Sequence, residues 1–132
     1  MKKKPTIPLE IRLGDLPVAK VNATLDMELD SGAVVMSGRA QLHAAKRHPK
    51  DYSRCVGHIA AIVTNPLYIG DDFKNPGNIE MISRVPAAGS AILVAVNIEM
   101  DKKGDYNVAS FYPISEAKIN KRLDKGFLKR PK

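Results

Sequence analysis

The stretch "GRAQLHAAKRHPKDY" places Arg39, His43, Lys46, Arg47 and His48 within about three helical turns. Further on, "VASFYPIS" supplies two hydroxyls, Ser110 and Tyr112. Paired imidazoles can act as general base and general acid near neutral pH. Cations and hydroxyls beside them can stabilise charge that develops on a phosphoryl group. These are the parts needed to break a phosphodiester bond without a metal.

Spacing limits how the two histidines can meet. Five residues of ideal helix turn through about 500°, which would leave His43 and His48 some 140° apart. Pro49 ends the helix, because the residue before a proline is pushed out of the helical region. His48 can then turn toward His43, and the negative end of the helix dipole favours a cation there. Either imidazole can be the base. Arg39, His43, Lys46 and Arg47 follow one another at i, i+4, i+7 and i+8 and gather positive charge, while Leu42 and Ala45 turn toward the core. The competing reading is an ordinary basic surface helix. His58, beside Arg54 on a polar face, reads as solvated.

In "YNVASFY" the strand period puts Tyr106, Val108, Ser110 and Tyr112 on one face and Asn107, Ala109 and Phe111 on the other. With Phe111 packed under helices, Ser110 and Tyr112 look across the open face. There a hydroxyl can bind a phosphate oxygen and a tyrosine can stack on a base. Arg84, on a neighbouring strand, either stabilises the phosphorane charge or pairs with Glu80.

The elements that must carry these residues follow from hydrophobic period and breakers. "TIPLEIRLGDL" reads as extended after Pro5 and Pro8. "TLDMELDSGAVVM" reads as a hairpin turning at Asp30-Ser31-Gly32, with a helix over residues 19–29 as the competing assignment. Ser37 caps a helix running to about His48. A second helix covers residues 50–64, with Tyr52, Cys55, Val56, Ile59, Ile62 and Val63 buried and Asp51, Arg54 and His58 outward. "LYIGDDFKNPGN" reads as loop. "NIEMISRV" alternates as a strand, and the nearly all-apolar "SAILVAVNIEM" reads as a central strand covered on both faces. "DKKGD" turns into "YNVASFY". Ser115 caps a last helix whose Ile119, Leu123 and Phe127 form a docking seam, with Gly126 weakening its end.

The chain has 132 residues, 44% hydrophobic and 27% charged, which suits one domain with a real core and argues against wholesale disorder. Its +7 charge is concentrated at the ends. Residues 118–132 carry seven Lys/Arg against Asp124, a local +6; Lys2, Lys3 and Lys4 add +3; residues 5–117 carry −2. Basic ends attract a polyanion or simply stay solvated. No apolar run reaches membrane-spanning length, and "MKKK" is followed by no signal-peptide core, so the expected location is cytoplasmic and no membrane partner is expected. One cysteine, Cys55, excludes an internal disulfide and a Cys-based zinc site. The acids are too scattered for a two-metal nuclease, and no HExxH, phosphate-binding glycine loop or GxSxG is present. No cofactor or metal is expected. Three Phe and four Tyr leave few stacking platforms.

Taken in order, "MSGRAQLHAAKRHPKDY", the helix ending in "IVTNPLYIG", the pair "NIEMISRV" and "AILVAVNIEM", and "VASFYPIS" before a last helix are similar to phage- and polymorphic-toxin-associated nucleases of the barnase–EndoU–colicin–RelE (BECR) superfamily. The resemblance covers roughly residues 35–119. It implies an α+β fold with N-terminal helices on a four-stranded or larger antiparallel sheet and a C-terminal helix, in agreement with the pattern of elements. As domains, it implies one unit over residues 1–132, an extended or hairpin segment at 1–35 preceding a nuclease core at 36–132. It also implies a metal-independent endoribonuclease of toxin or effector type, with RNA as partner and a cognate immunity or antitoxin protein. Its site residues map onto His43, His48, Arg84, Ser110 and Tyr112, and no carboxylate stands in a clear base position. Arg39, Lys46, Arg47, Lys118, Lys121 and Arg122 would bind substrate. The alternatives are a non-catalytic nucleic-acid-binding or phage accessory protein on the same scaffold, and, with no motif in its favour, a transferase using a nicotinamide dinucleotide.

Overall fold

Apolar alternation and well-placed caps set the layers, and the computed structural model describes residues 6–132 of them. Lys2, Lys3, Lys4 and Pro5 lie outside the described residues. Strand β1 (Ile11–Asp15) leads into helix α1 (Val18–Leu25), and β2 (Ala33–Met36) leads into α2 (Gly38–Arg47) and α3 (Pro49–Cys55). A 3-10 turn at Val56–His58 joins α3 to α4 (Ile59–Thr64). Then come β3 (Tyr68–Asp71), β4 (Asn78–Val85), β5 (Ser90–Asn97), β6 (Tyr106–Ile114), α5 (Glu116–Asp124) and a short β7 (Leu128–Lys129).

The strands form one seven-stranded sheet in the order β1-β2-β6-β5-β4-β3-β7. All pairs are antiparallel except β2 with β6, which run parallel over Val34↔Tyr106 and Val35↔Asn107. The fold is therefore α+β, as expected, with a sheet larger than the minimum of four. Residues on one face (Ile79, Met81, Ile92, Val94, Phe111) pack with Val21, Ile59, Ile62 and Val63 of α1 and α4. The opposite face (Tyr68, Ile82, Leu93, Ile114) packs with Ile119 of α5 and Leu128 of β7. Residues 91–96 of β5 are buried without a break, because the strand is covered on both faces.

Several local expectations change. Residues 24–36 are not a hairpin: α1 overlaps the competing helical range of 19–29, and β2 pairs with β1 and β6. The side-chain amide of Asn22 donates to the Leu29 carbonyl (3.1 Å) and accepts from the Leu29 N–H (2.8 Å), so this segment meets a side chain where a hairpin would offer a strand. The helix expected over residues 50–64 is broken at Val56–His58. "LYIG" is strand rather than loop, because Tyr68–Asp71 pairs with Ile79–Ile82. The last helix stops at Asp124, and Gly126 takes a left-handed φ of 75°. Phe127 therefore falls outside the docking seam and stays 39% exposed.

Candidate active site

Three neighbouring features build a cavity of about 460 Å³ at one edge of the sheet. The first is the short β2. It ends at Met36, and Ser37 at once caps α2, its hydroxyl accepting the Ala40 N–H at 3.1 Å. Strand β6 runs on past its last β2 partner, Asn107, so residues 108–114 have no strand neighbour on that side. Helices α2 and α3 stand over this bare edge, with Tyr52 against Phe111 at 5.9 Å between ring centroids.

The second feature is the elbow between α2 and α3. The His48 N–H donates to the Ala44 carbonyl (3.0 Å), closing α2, and the His48 carbonyl accepts from the Tyr52 N–H (2.8 Å), opening α3. Its φ of −139° and ψ of 69° break the helix where Pro49 demands it. His43 and His48 consequently line the same cavity. The inward side of α2 is Ala40, Gln41 and Ala44 rather than Leu42 and Ala45, since buried Gln41 donates to the carbonyls of Leu9 (2.8 Å) and Met36 (3.2 Å).

The third is a β-bulge in β6. Val96 faces Val108 and Ala95 faces Ser110, which leaves Ala109 without a partner on β5. An unbroken strand period would put Val108, Ser110 and Tyr112 on one face. The extra residue separates them: Tyr106, Val108 and Phe111 join the core under the helices, while Ser110 and Tyr112 align with Ala95 and Leu93 of the opposite face. Ser110 and Tyr112 also line the cavity, so it opens onto that face.

Five expected residues thus come together: His43, Arg47, His48, Ser110 and Tyr112. Arg39 and Lys46 are exposed on α2 and do not line the cavity, and His58 is likewise elsewhere. Arg84 is also apart. Its guanidinium makes a two-point contact with Glu116 (2.5 and 3.3 Å) and lies 5.6 Å from the Tyr68 ring centroid, in a separate groove with Ser90 and Ser115. Arg84 does not pair with Glu80, which is taken by Arg122 at 3.2 Å. Lys118 and Lys121 are exposed on α5.

The sequence reading missed two carboxylates. Asp51, read as outward-facing, lines the cavity beside His43, Arg47 and His48. Its position three residues after His48, across a proline break, was the available signal. Glu80 is 7% exposed on the face that α5 covers, in the same cross-strand row as Ala95 and Ser110. Burial raises the Tyr112 phenol pKa, the charge of Glu80 raises it further, and Arg122 opposes them. Tyr112 is therefore a neutral hydroxyl donor across the neutral range. Among the described residues, no three His, Cys, Asp or Glu side chains converge as a metal site.

A family model, phage-Barnase-EndoU-ColicinE5/D-RelE like nuclease3, matches residues 12–121, from within β1 into α5. The chain belongs to this nuclease family. No curated protein and no solved structure matches it. A BECR-type nuclease acts on nucleic acid, so the cavity at the β6 edge is read as a candidate site for phosphodiester chemistry. Within the described residues no helix is long and apolar enough to cross a membrane.

Proposed function

We propose that this BECR-family nuclease is a metal-independent endoribonuclease working from the cavity between α2, α3 and β6. The observation that carries the reading is the convergence of two histidines, an arginine, a serine and a tyrosine on one cavity. One histidine takes the proton of a ribose 2′-OH as that oxygen attacks the adjacent phosphorus. The other gives a proton to the departing 5′ oxygen, leaving a 2′,3′-cyclic phosphate and a free 5′-OH. Arg47, Ser110 and Tyr112 hold the non-bridging oxygens, where preorganised donors act most strongly on developing charge. Arg84, bound to Glu116 in another groove, has no part in this arrangement. A toxin or effector role acting on cytoplasmic RNA, held in check by an immunity partner, follows from the family resemblance.

The test is incubation of the protein with total cellular RNA in excess EDTA, with end-group analysis of the fragments. Wild type should leave cyclic phosphates, and His43→Ala or His48→Ala should slow cleavage by roughly 10²–10⁴-fold. Full activity in the double variant, or cleavage only when a divalent metal is restored, would overturn the mechanism. Salt-sensitive binding without any cleavage would favour a non-catalytic binder, a reading that the basic segment 118–132 also suits.

A further inference from the structure

The end of the sheet away from the cavity carries an unusual pair. Phe73 is 62% exposed and Phe127 39% exposed, yet their rings lie together, 4.6 Å between centroids and tilted by 46°. Exposed apolar surface gathered in one place is a feature of binding surfaces. Both are held in place. Phe73 sits in a loop whose Asp72 carboxylate accepts from the N–H groups of Lys74 and Asn75 (3.2 Å each) and from the Asn75 side-chain amide (3.1 Å). Phe127 follows the left-handed Gly126, and its carbonyl rests directly over Gly70, where a Cβ would lie 2.5 Å from that oxygen.

Register ties this pair to the cavity. Gly70 pairs with Glu80, Glu80 with Ala95, and Ala95 with Ser110, a single row across β3, β4, β5 and β6. Three strand spacings make the row about 14 Å long. Gly70, Glu80 and Ala95 are buried in that row, beneath the Phe127 carbonyl, Leu128 and Arg122, so the row measures the separation of the pair from the cavity. Helix α5 covers the neighbouring apolar row and sends Arg122 onto Glu80. Glu80 is satisfied by Arg122, and Asp72 by its own loop. Positive charge flanks the far end, with the Lys125 ammonium 5.9 Å from the Phe127 ring centroid and Lys74 and Lys129 exposed.

We propose that Phe73 and Phe127 form a base-stacking platform for single-stranded nucleic acid at the end of the sheet opposite the cavity. Stacking accepts any base, while the lysines attract the backbone, so the platform selects single strands over duplex without reading sequence. The inference rests on the family's need for a nucleic-acid substrate and not on the histidine mechanism.

The experiment measures fluorescence anisotropy of a short labelled 2′-O-methyl oligoribonucleotide, which lacks the attacking hydroxyl and is not consumed. Phe73→Leu with Phe127→Leu keeps apolar bulk but removes both rings, and should weaken binding on the order of tenfold or more. Abasic positions in the oligonucleotide should weaken wild-type binding similarly and add little in the double variant. Lys125→Gln should lower the salt dependence by about one ion. Thermal unfolding checks that each variant is folded; Phe73→Leu alone, in a surface loop, serves if the double variant is not. Unchanged affinity in the folded variants, equal affinity for duplex, or no binding by wild type would overturn the platform. The EDTA cleavage assay decides the RNase reading separately, so either can fail alone.

Discussion

At the scale of single residues, Tyr112 links the cavity to the α5 face of the sheet. It lines the former and stands on the latter, where burial, with a smaller push from Glu80, holds its phenol protonated beyond the ordinary tyrosine range. Tyr112→Phe should lower kcat by on the order of 10²-fold, the loss expected when one donor to transition-state charge is removed. The sign of the pH effect follows from the raised value. The unfolded chain loses the phenol proton first, so this contribution to stability is complete below about pH 10 and is lost as pH rises through the folded value. Urea midpoints measured across alkaline pH should fall less steeply for Tyr112→Phe than for wild type. Asp51 and Glu80 bring carboxylates close to the site. For Asp51 the one local signal is its place just past the proline break; nothing near Glu80 in the sequence distinguishes it from a surface acid.

At the scale of elements, three short features create the cavity: the helix cap at Ser37, the elbow at His48 and the bulge at Ala109. The cap starts α2 immediately after β2, so the helix leaves the sheet early and uncovers the β6 edge. Gly38 permits this tight exit, since a Cβ there would run into the Pro8 carbonyl. Ser37→Ala removes the acceptor for the Ala40 N–H and should cost about 1 kcal/mol, read as a lower urea midpoint with an unchanged slope. Activity should fall with it if α2 frays, because His43 lies in its second turn. The cap was legible in the sequence, as were the proline stop and the Ser115 cap of α5. The bulge was not, because a period of two assumes that every residue has a partner, and only the β5 register leaves Ala109 without one.

At the scale of the whole molecule, charge and topology divide the work. The basic C-terminal segment folds back onto the body: Lys129 pairs beside β3, and the Lys132 N–H donates to the Thr24 hydroxyl at 2.9 Å. Residues 118–132 are therefore fixed to the body of the fold rather than held on a free tail. Lys121→Gln, on exposed α5, should raise KM for RNA with kcat nearly unchanged. The KM difference from wild type should shrink as salt rises, because it reflects counterion release. Steady-state kinetics at several salt concentrations make that comparison.

The sequence by itself determined what depends on near neighbours. Ser37, Pro49 and Ser115 set helix ends, the apolar run of β5 marked a strand buried on both faces, and the order of motifs pointed to the nuclease family. Tertiary structure alone decided what depends on pairing across distance. It made a strand of "LYIG", gave Arg84 to Glu116 and Arg122 to Glu80, and brought Asp51 into the cavity. It also turned Phe127 out of the helical seam and onto Phe73. The physical reason is the same in each case: caps and periods act within a turn or two of backbone, whereas an ion pair, a strand partner or a stacked ring is chosen by whatever the finished sheet brings alongside.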